Sequence, residues 1–308
     1  MVTLPKPLTI GVSTRALFRL EEEHSVFEAQ GVEAYAQLQL SRERSVPEKG
    51  AAFEVVRRLL ELNSPGSEKL VDVVLMSRNF PELSLRAFNA VNEYGLAIER
   101  GSFVSGRPVA PYATAWGIDL FLSNHAEDVH SAAANDVASA TLLEPPSSQI
   151  AIAEDEVRIA LDGDSVIFDP ESDEIYKAHG LEAFLKHESD HGSVPLERGP
   201  FARFLARLAI VRAKVMRSDG SSRVRIGLFT ARNAPAHERV IRTFRDWHTP
   251  VDEAHFVGSA DKGPFLQAFG AHIFFDDQNK HVVSAQRHVP AGWVPGPHSP
   301  ETPVIPGR

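Results

Sequence analysis

Arg158-Ile-Ala-Leu-Asp-Gly-Asp-Ser-Val-Ile-Phe168 decides the fold class of this chain. From Ile159 to Leu161 it is apolar on both faces, the pattern of a strand buried in a parallel sheet and covered by helices. It then delivers two carboxylates, one residue apart, at its C-terminal end, the edge where open α/β sheets bind ligands. Taken alone, Asp-Gly-Asp also reads as an ordinary strand-ending turn, because both residue types adopt turn conformations readily. An EF-hand calcium loop begins in the same way but needs a polar fifth position, a glycine sixth and a glutamate twelfth. Val166, Ile167 and Asp173 stand there instead.

Outward from this strand the chain repeats itself. Leu8 to Phe18 aligns with Arg158 to Phe168, and Phe27-Glu-Ala-Gln-Gly-Val-Glu-Ala-Tyr35 with Tyr176-Lys-Ala-His-Gly-Leu-Glu-Ala-Phe184. Ser45-Val-Pro-Glu-Lys-Gly50 matches Ser193-Val-Pro-Leu-Glu-Arg-Gly199, and Val73-Val-Leu-Met-Ser-Arg-Asn79 matches Ile226-Gly-Leu-Phe-Thr-Ala-Arg-Asn233. The predicted helices Pro81 to Glu93 and Pro235 to Trp247 follow, then Phe103-Val-Ser and Phe256-Val-Gly, then Asp119-Leu-Phe-Leu-Ser-Asn124 and His272-Ile-Phe-Phe-Asp-Asp277. A nearly constant offset of about 150 residues points to internal duplication, with two unrelated α/β domains of similar patterning as the alternative.

The alternation of short apolar runs with helical stretches predicts an α/β fold of two tandem Rossmann-like three-layer domains with mostly parallel sheets. Their expected bounds are 1–143 and 150–287, joined near Glu144-Pro-Pro-Ser-Ser-Gln149. Glu28 to Leu62 and Lys177 to Val215 read as helical cap insertions, the second spanning 173–217. From 288 to 308 the chain is proline-rich, and an irregular arm is expected there in place of a helix or central strand.

Composition narrows the function. A net charge of −9 argues against a nucleic-acid surface, which needs clustered positive charge. No apolar run is long enough to span a bilayer, and the start, Met1-Val-Thr-Leu-Pro-Lys-Pro, lacks the apolar core of a signal peptide, so a cytoplasmic protein is expected. With no cysteine, any metal must be held by oxygen or imidazole, which favours hard cations.

Three further elements end predicted strands beside Asp162-Gly-Asp164: Thr230, Lys262 and Asp276-Asp277. Singly, Thr230 reads equally as a helix cap, Lys262 as a solvated charge and the acidic pair as another cap. Together they supply what phosphoryl transfer requires: an attacking carboxylate, an acid/base, a hydroxyl and an ammonium for phosphoryl oxygens, and carboxylates for a cation.

This arrangement resembles the haloacid dehalogenase (HAD) superfamily of phosphatases, whose four motifs appear here in order. It is closer still to the type I cytosolic 5′-nucleotidase family around Ala160-Leu-Asp-Gly-Asp-Ser-Val-Ile-Phe168, Ser77-Arg-Asn79 and Phe274-Phe-Asp-Asp-Gln278, from about Leu8 to Val283. The resemblance implies HAD-like domains and Mg2+-dependent hydrolysis of nucleoside 5′-monophosphates. It casts Asp162 as nucleophile and Asp164 as acid/base, with Thr230 and Lys262 on the phosphoryl group. Asp162, Asp164, Asp276 and Asp277 become the metal candidates. Gly163, Ala231 and Arg232 would border the phosphoryl site.

His179, Phe184, Lys186, His187 and Arg198 in the second insertion are candidates for contacting base, ribose or phosphate. The histidines His179, His187 and His191 lack acidic partners at fixed spacing, so zinc is disfavoured. Phe201, Phe204, Leu205 and Leu208 fall at helical spacing and read as packing. Aligning the halves sets Val12 opposite Asp162, Thr14 opposite Asp164, Met76 opposite Thr230, Val109 opposite Lys262 and Ser123-Asn124 opposite Asp276-Asp277, so the first half should be inert. Arg78 and Arg107 remain there as candidate contacts for a nucleotide effector. A phosphatase for another small metabolite, a phosphotransferase and a nucleotide-binding regulatory protein stay open as alternatives, as does a homo-oligomer.

Overall fold

The computed structural model describes residues 6–144 and 155–296. The expected junction at 145–149 and the end of the chain from 297 lie outside the described residues. The strands of the first half are β1 (Leu8–Ser13), β2 (Val71–Ser77), β3 (Arg100–Phe103), β4 (Leu120–Ser123) and β5 (Ala138–Leu142). Those of the second are β6 (Val157–Leu161), β7 (Val224–Thr230), β8 (Glu253–Phe256), β9 (Ile273–Asp276) and β10 (Ala291–Trp293). Helices α1 (Thr14–Leu17), α2 (Glu21–Ser41), α3 (Phe53–Leu60), α4 (Ser84–Glu93), α5 (Ala110–Trp116) and α6 (Ala126–Ala133) belong to the first half. The second contributes α7 (Glu171–Asp190), α8 (Ala202–Lys214), α9 (His237–Asp246), α10 (Gly263–Phe269) and α11 (Asn279–Ala285). None of the described helices is long and apolar enough to cross a membrane.

All ten strands form one sheet, ordered β3-β2-β1-β4-β5-β10-β9-β6-β7-β8. Every neighbouring pair is parallel except β5 with β10. Read inward from the two outer edges, the halves have the same strand order and meet at β5 and β10. Their backbone hydrogen bonds recur as well: Asp119 N donates to Thr9 O as His272 N does to Arg158 O, and Gly50 N to Leu17 O as Gly199 N does to Ile167 O.

The two expected sheets are therefore continuous, and the seam corrects the expectation of an irregular arm from residue 288. Ala291–Trp293 is a central strand, parallel to β9 and antiparallel to β5. Proline forbids a central strand only where its missing N–H or fixed φ falls inside the ladder. Here Pro290 precedes the strand and uses its carbonyl to accept Phe274 N at 2.9 Å, and Pro295 follows it.

The insertions also divide differently from expectation. α3 and α8 are core helices: Phe53, Val55, Val56 and Leu59 on one, and Phe204, Leu205, Leu208 and Val211 on the other, are buried. Each packs across the halves, α3 against β2 and β6, α8 against β7 and β1, so one apolar cluster runs through both halves on that face. Phe201, Phe204, Leu205 and Leu208 are packing residues, as their spacing predicts. Only α2 and α7 are outlying. Each is broken at a glycine, Gly31 (φ 82°) and Gly180 (φ 80°), in a backbone region that side-chain-bearing residues rarely adopt.

Gly292 is pinched at the seam, where an added Cβ would lie 2.9 Å from Ala140 Cβ and 2.9 Å from Leu142 Cδ2. Gly292→Ala should therefore destabilise the protein by about 1–3 kcal/mol, the usual cost of overpacking. Equilibrium denaturation measures this; an unchanged midpoint would contradict the seam.

Candidate active site

Three adjacent parallel strands, β9, β6 and β7, end at Asp276, next to Asp162, and at Thr230. Because parallel strands share one C-terminal edge, residues far apart in sequence converge there. Lys262, just before α10, completes the group: its Nζ lies 2.8 Å from Asp162 Oδ1 and 2.7 Å from Asp276 Oδ2. Lys262, Asp162 and Asp276 are all buried. Asp276 is further held by Gln278 N, which donates to Oδ1 at 2.8 Å, and by His281 Nδ1, 3.2 Å from Oδ2.

Asp277 lies beside them with its Oδ1 buried and unpartnered. Its main chain is fixed from the seam, since the Trp293 indole donates to Asp277 O at 2.9 Å. One ammonium thus pairs with two carboxylates beside a third in low dielectric, which sets their proton affinities. Burial, outweighing the attraction of Lys262 and reinforced by Asp276, pushes Asp162 up to about 7. Burial together with Asp276, Asp162 and Asp173 pushes Asp277 up to about 8. Burial acts on Asp276 in the same sense, but Lys262 and His281 outweigh it and hold Asp276 below the usual carboxylate range. For Lys262 the two carboxylates overcome the cost of burial and raise its affinity for its proton.

A surplus of carboxyl groups over cations and an orphaned carboxylate oxygen fit a hard divalent cation, whose charge would favour their ionised forms. Asp162, Asp276 and His281 offer ligand atoms within 4.8 Å of one another. Asp276 already accepts on both oxygens, from Gln278 N on one and from Lys262 and His281 on the other, whereas Asp277 Oδ1 accepts nothing. Asp277 is the better donor, and Asp276 better suited to holding Lys262.

Asp164 is taken up differently. Arg232 grips both its oxygens, Nε at 2.9 Å from Oδ2 and Nη2 at 2.6 Å from Oδ1, which removes its side chain from the cation candidates. Arg232 is itself buried and paired through its other nitrogen with Glu188. Arg232 therefore faces protein carboxylates, not an open phosphoryl site as its sequence position suggested, while Ala231 is exposed beside it. Arg232 N donates to Thr230 Oγ1 at 3.1 Å, so the hydroxyl is oriented by its own turn. A Cβ on Gly163 would sit 3.2 Å from that hydroxyl, tighter than nearly all real contacts, so glycine keeps this approach clear.

The remaining insertion candidates do not converge. His179 is exposed, Lys186 pairs with Asp190 at 2.5 Å, and Arg198 stacks on Trp247 at 4.7 Å. His187 and His191 stack on each other at 4.2 Å, with Arg239 3.3 Å from His187 Nε2. Only Phe184 reaches the site region, 5.5 Å beneath the Arg232 guanidinium. Glu188 and His281 escaped sequence reading. His281 stands one helical turn beyond Asp277, a detectable spacing, whereas nothing in the sequence singles Glu188 out from the other acids of α7.

The first half lacks this chemistry, though its alignment needs correcting by one residue. Ile10 pairs with Leu120 as Ile159 does with Ile273, which sets Ser13 opposite Asp162. Val104 N donates to Ser77 O as Val257 N does to Thr230 O, so Ser77, not Met76, stands opposite Thr230. Ala52 N bonds Ala16 O where Phe201 N bonds Val166 O, so the second half carries one extra residue in the Asp-Gly-Asp turn and Thr14 has no strict partner. No carboxylate replaces Asp162 in this register. Arg78 is gripped by the buried Asp128 at 2.8 Å through two nitrogens, and Val109 N also donates to that carboxylate at 3.2 Å. The protein's own carboxylate thus satisfies the arginine expected to hold an effector, while Arg107 is exposed.

A family model described as 5′-nucleotidase matches residues 1–301. Human cytosolic 5′-nucleotidase 1B is 35% identical over 295 residues, covering 92% of this chain and 48% of that protein. The chain thus spans about half the length of the curated relative it matches. No solved structure matches it.

The pH dependence of stability tests the acidic cluster. Folded Asp162 and Asp277 keep their protons up to about 7 and about 8, against an ordinary value of 3.8. Raised carboxylates stabilise the fold at acid pH, and that contribution is lost as pH rises through those values. In a chelator the melting midpoint should fall over this range and fall less in Asp277→Asn. Added Mg2+ should restore it most at the upper end, because ligands bind metal deprotonated. Equal slopes for both proteins would contradict the cluster.

Proposed function

This chain belongs to the 5′-nucleotidase family, and from that premise we propose that it hydrolyses nucleoside 5′-monophosphates to nucleoside and phosphate. The observation that carries the proposal is Lys262 bridging Asp162 and Asp276 beside Thr230 at one sheet edge. Asp162 is the nucleophile: a carboxylate oxygen bonds to phosphorus as the bond to the 5′ oxygen breaks, leaving an aspartyl-phosphate. Asp164 gives a proton to the departing oxygen, then takes one from the water that releases phosphate and restores Asp162. Thr230 and Lys262 hold the phosphoryl oxygens against their developing charge.

Asp162 and Asp277 would hold a divalent cation, Mg2+ by the hardness of its donors, and it would supply charge neutralisation at the phosphoryl group. Tandem duplication is part of the same reading, supported by the matched strand orders, with the second unit running beyond the expected bound of 287 to take in β10 and with α2 and α7 as the caps. The first half then acts as scaffold, supplying β5 to the seam. The human relative's name supports a cytosolic setting.

Phosphate release from a panel of nucleoside monophosphates in Mg2+ should be robust in the wild type. It should drop by roughly a thousandfold or more in Asp162→Asn with the fold intact, as removal of a nucleophile does. Turnover of sugar phosphates without nucleotides would overturn the substrate class, and an active Asp162→Asn protein would overturn the nucleophile.

A further inference from the structure

Glu188, on the far side of the α7 break, is buried and fully engaged. Its Oε1 accepts from Ser172 Oγ at 2.7 Å and from Arg239 Nη1 at 3.0 Å, and its Oε2 pairs with Arg232. Ser172 comes from the first segment of α7, Glu188 from the second and Arg239 from α9, so this carboxylate ties the outlying helix to the core. Arg232 extends the tie to Asp164, and the Phe184 ring closes the other face of its guanidinium.

The first half supplies an internal comparison. Arg86 there donates to Gln39 Oε1 at 2.8 Å and to Ser45 O at 3.3 Å, as Arg239 donates to Glu188 Oε1 and to Val194 O. Gln39 therefore stands opposite Glu188. Asn79 N donates to Ser77 Oγ as Arg232 N does to Thr230 Oγ1, so Asn79 stands opposite Arg232. In the first half these neutral side chains meet through the Tyr35 hydroxyl, 2.7 Å from Asn79 and 2.9 Å from Gln39. The arginine that docks the broken helix is common to both halves, and in the first half the buried Glu23, opposite Ser172, also accepts from it at 2.7 Å, so docking explains Arg86 and Arg239. The charged link through Glu188 and Arg232 occurs only in the half that carries Asp162, Asp164 and Lys262.

We propose, resting on the phosphatase reading above, that Glu188 and Arg232 are positioning residues that fix the Asp164 carboxylate and couple its orientation to the seating of α7. A planar guanidinium held at one end by Glu188 presents its fork in a single orientation, so Asp164 cannot rotate away. Each Asp164 oxygen keeps a second lone-pair site, which leaves the face toward the leaving group available. The link thereby ties proton delivery to the docking of α7 on α9 and Arg232.

The test compares wild type, Glu188→Gln, Arg232→Asn and the double variant, which places the side-chain types of Gln39 and Asn79 at the matching positions of the second half. The whole chain given by the sequence is assayed with Mg2+ on a nucleoside 5′-monophosphate and on p-nitrophenyl phosphate, whose leaving group departs without a proton. With the nucleotide, kcat should fall roughly 10- to 100-fold while KM stays within about threefold. With p-nitrophenyl phosphate the loss in kcat/KM, which ends at leaving-group departure, should stay under about threefold, whereas kcat falls with both substrates because the water step also uses Asp164; the double variant should be no worse than Arg232→Asn, because both residues act through one path. Equal losses in kcat/KM on both substrates would mean a structural disturbance and overturn the proposal. A raised KM with unchanged kcat would make Arg232 a substrate contact and overturn it as well. Unchanged variants of an active enzyme overturn the positioning role alone, whereas a wild type that releases phosphate from neither substrate overturns the phosphatase reading and the proposal with it.

Discussion

The ammonium of Lys262, buried between Asp162 and Asp276, is the interaction on which the site depends. A buried charge without a partner is costly, so the two carboxylates and the lysine must be brought together by the fold or not buried at all. Parallel order does this: β6 and β9 are neighbours, and the turn before α10 lies over their ends. Once the lysine is placed, Asp277 is the carboxylate left over, and its unpartnered oxygen makes the site receptive to a cation.

The seam serves the same site. β10 pairs with β9 on one side and β5 on the other, and its Trp293 holds the Asp277 carbonyl while His130 of the first half lies 5.3 Å from the indole ring. A half with no carboxylate opposite Asp162 thus supports the acidic pair through one strand. It also separates what the fold requires from what the chemistry requires. Gly31 and Gly180 break their helices alike, and Arg86 and Arg239 dock them alike, yet only one half carries Lys262, Arg232 and Glu188.

The legible residues were those tied to strand ends. Asp162, Thr230 and Asp276 can be placed because each ends or follows an apolar run whose direction a parallel sheet fixes in advance, and Lys262 because its loop leaves the next strand at the same edge. Side-chain partnerships were not legible. Arg232 reads as a substrate contact because nothing in the sequence marks Asp164 and Glu188 as enclosing it, and Arg78 reads as free because Asp128, which satisfies it, lies fifty residues away. The one-residue slip between halves arises because neither Val12 nor Ser13 resembles the aspartate opposite, so composition does not choose between them, whereas a backbone ladder admits one register. β10 was hidden by flanking prolines that lie just outside its three residues.

The most direct measurement is acid quench of the enzyme during turnover of a nucleoside monophosphate, followed by mass spectrometry of its peptides. The account predicts a labile phosphoryl group on the peptide carrying Asp162, absent without substrate. Steady turnover with the phosphoryl group on a different residue would contradict it.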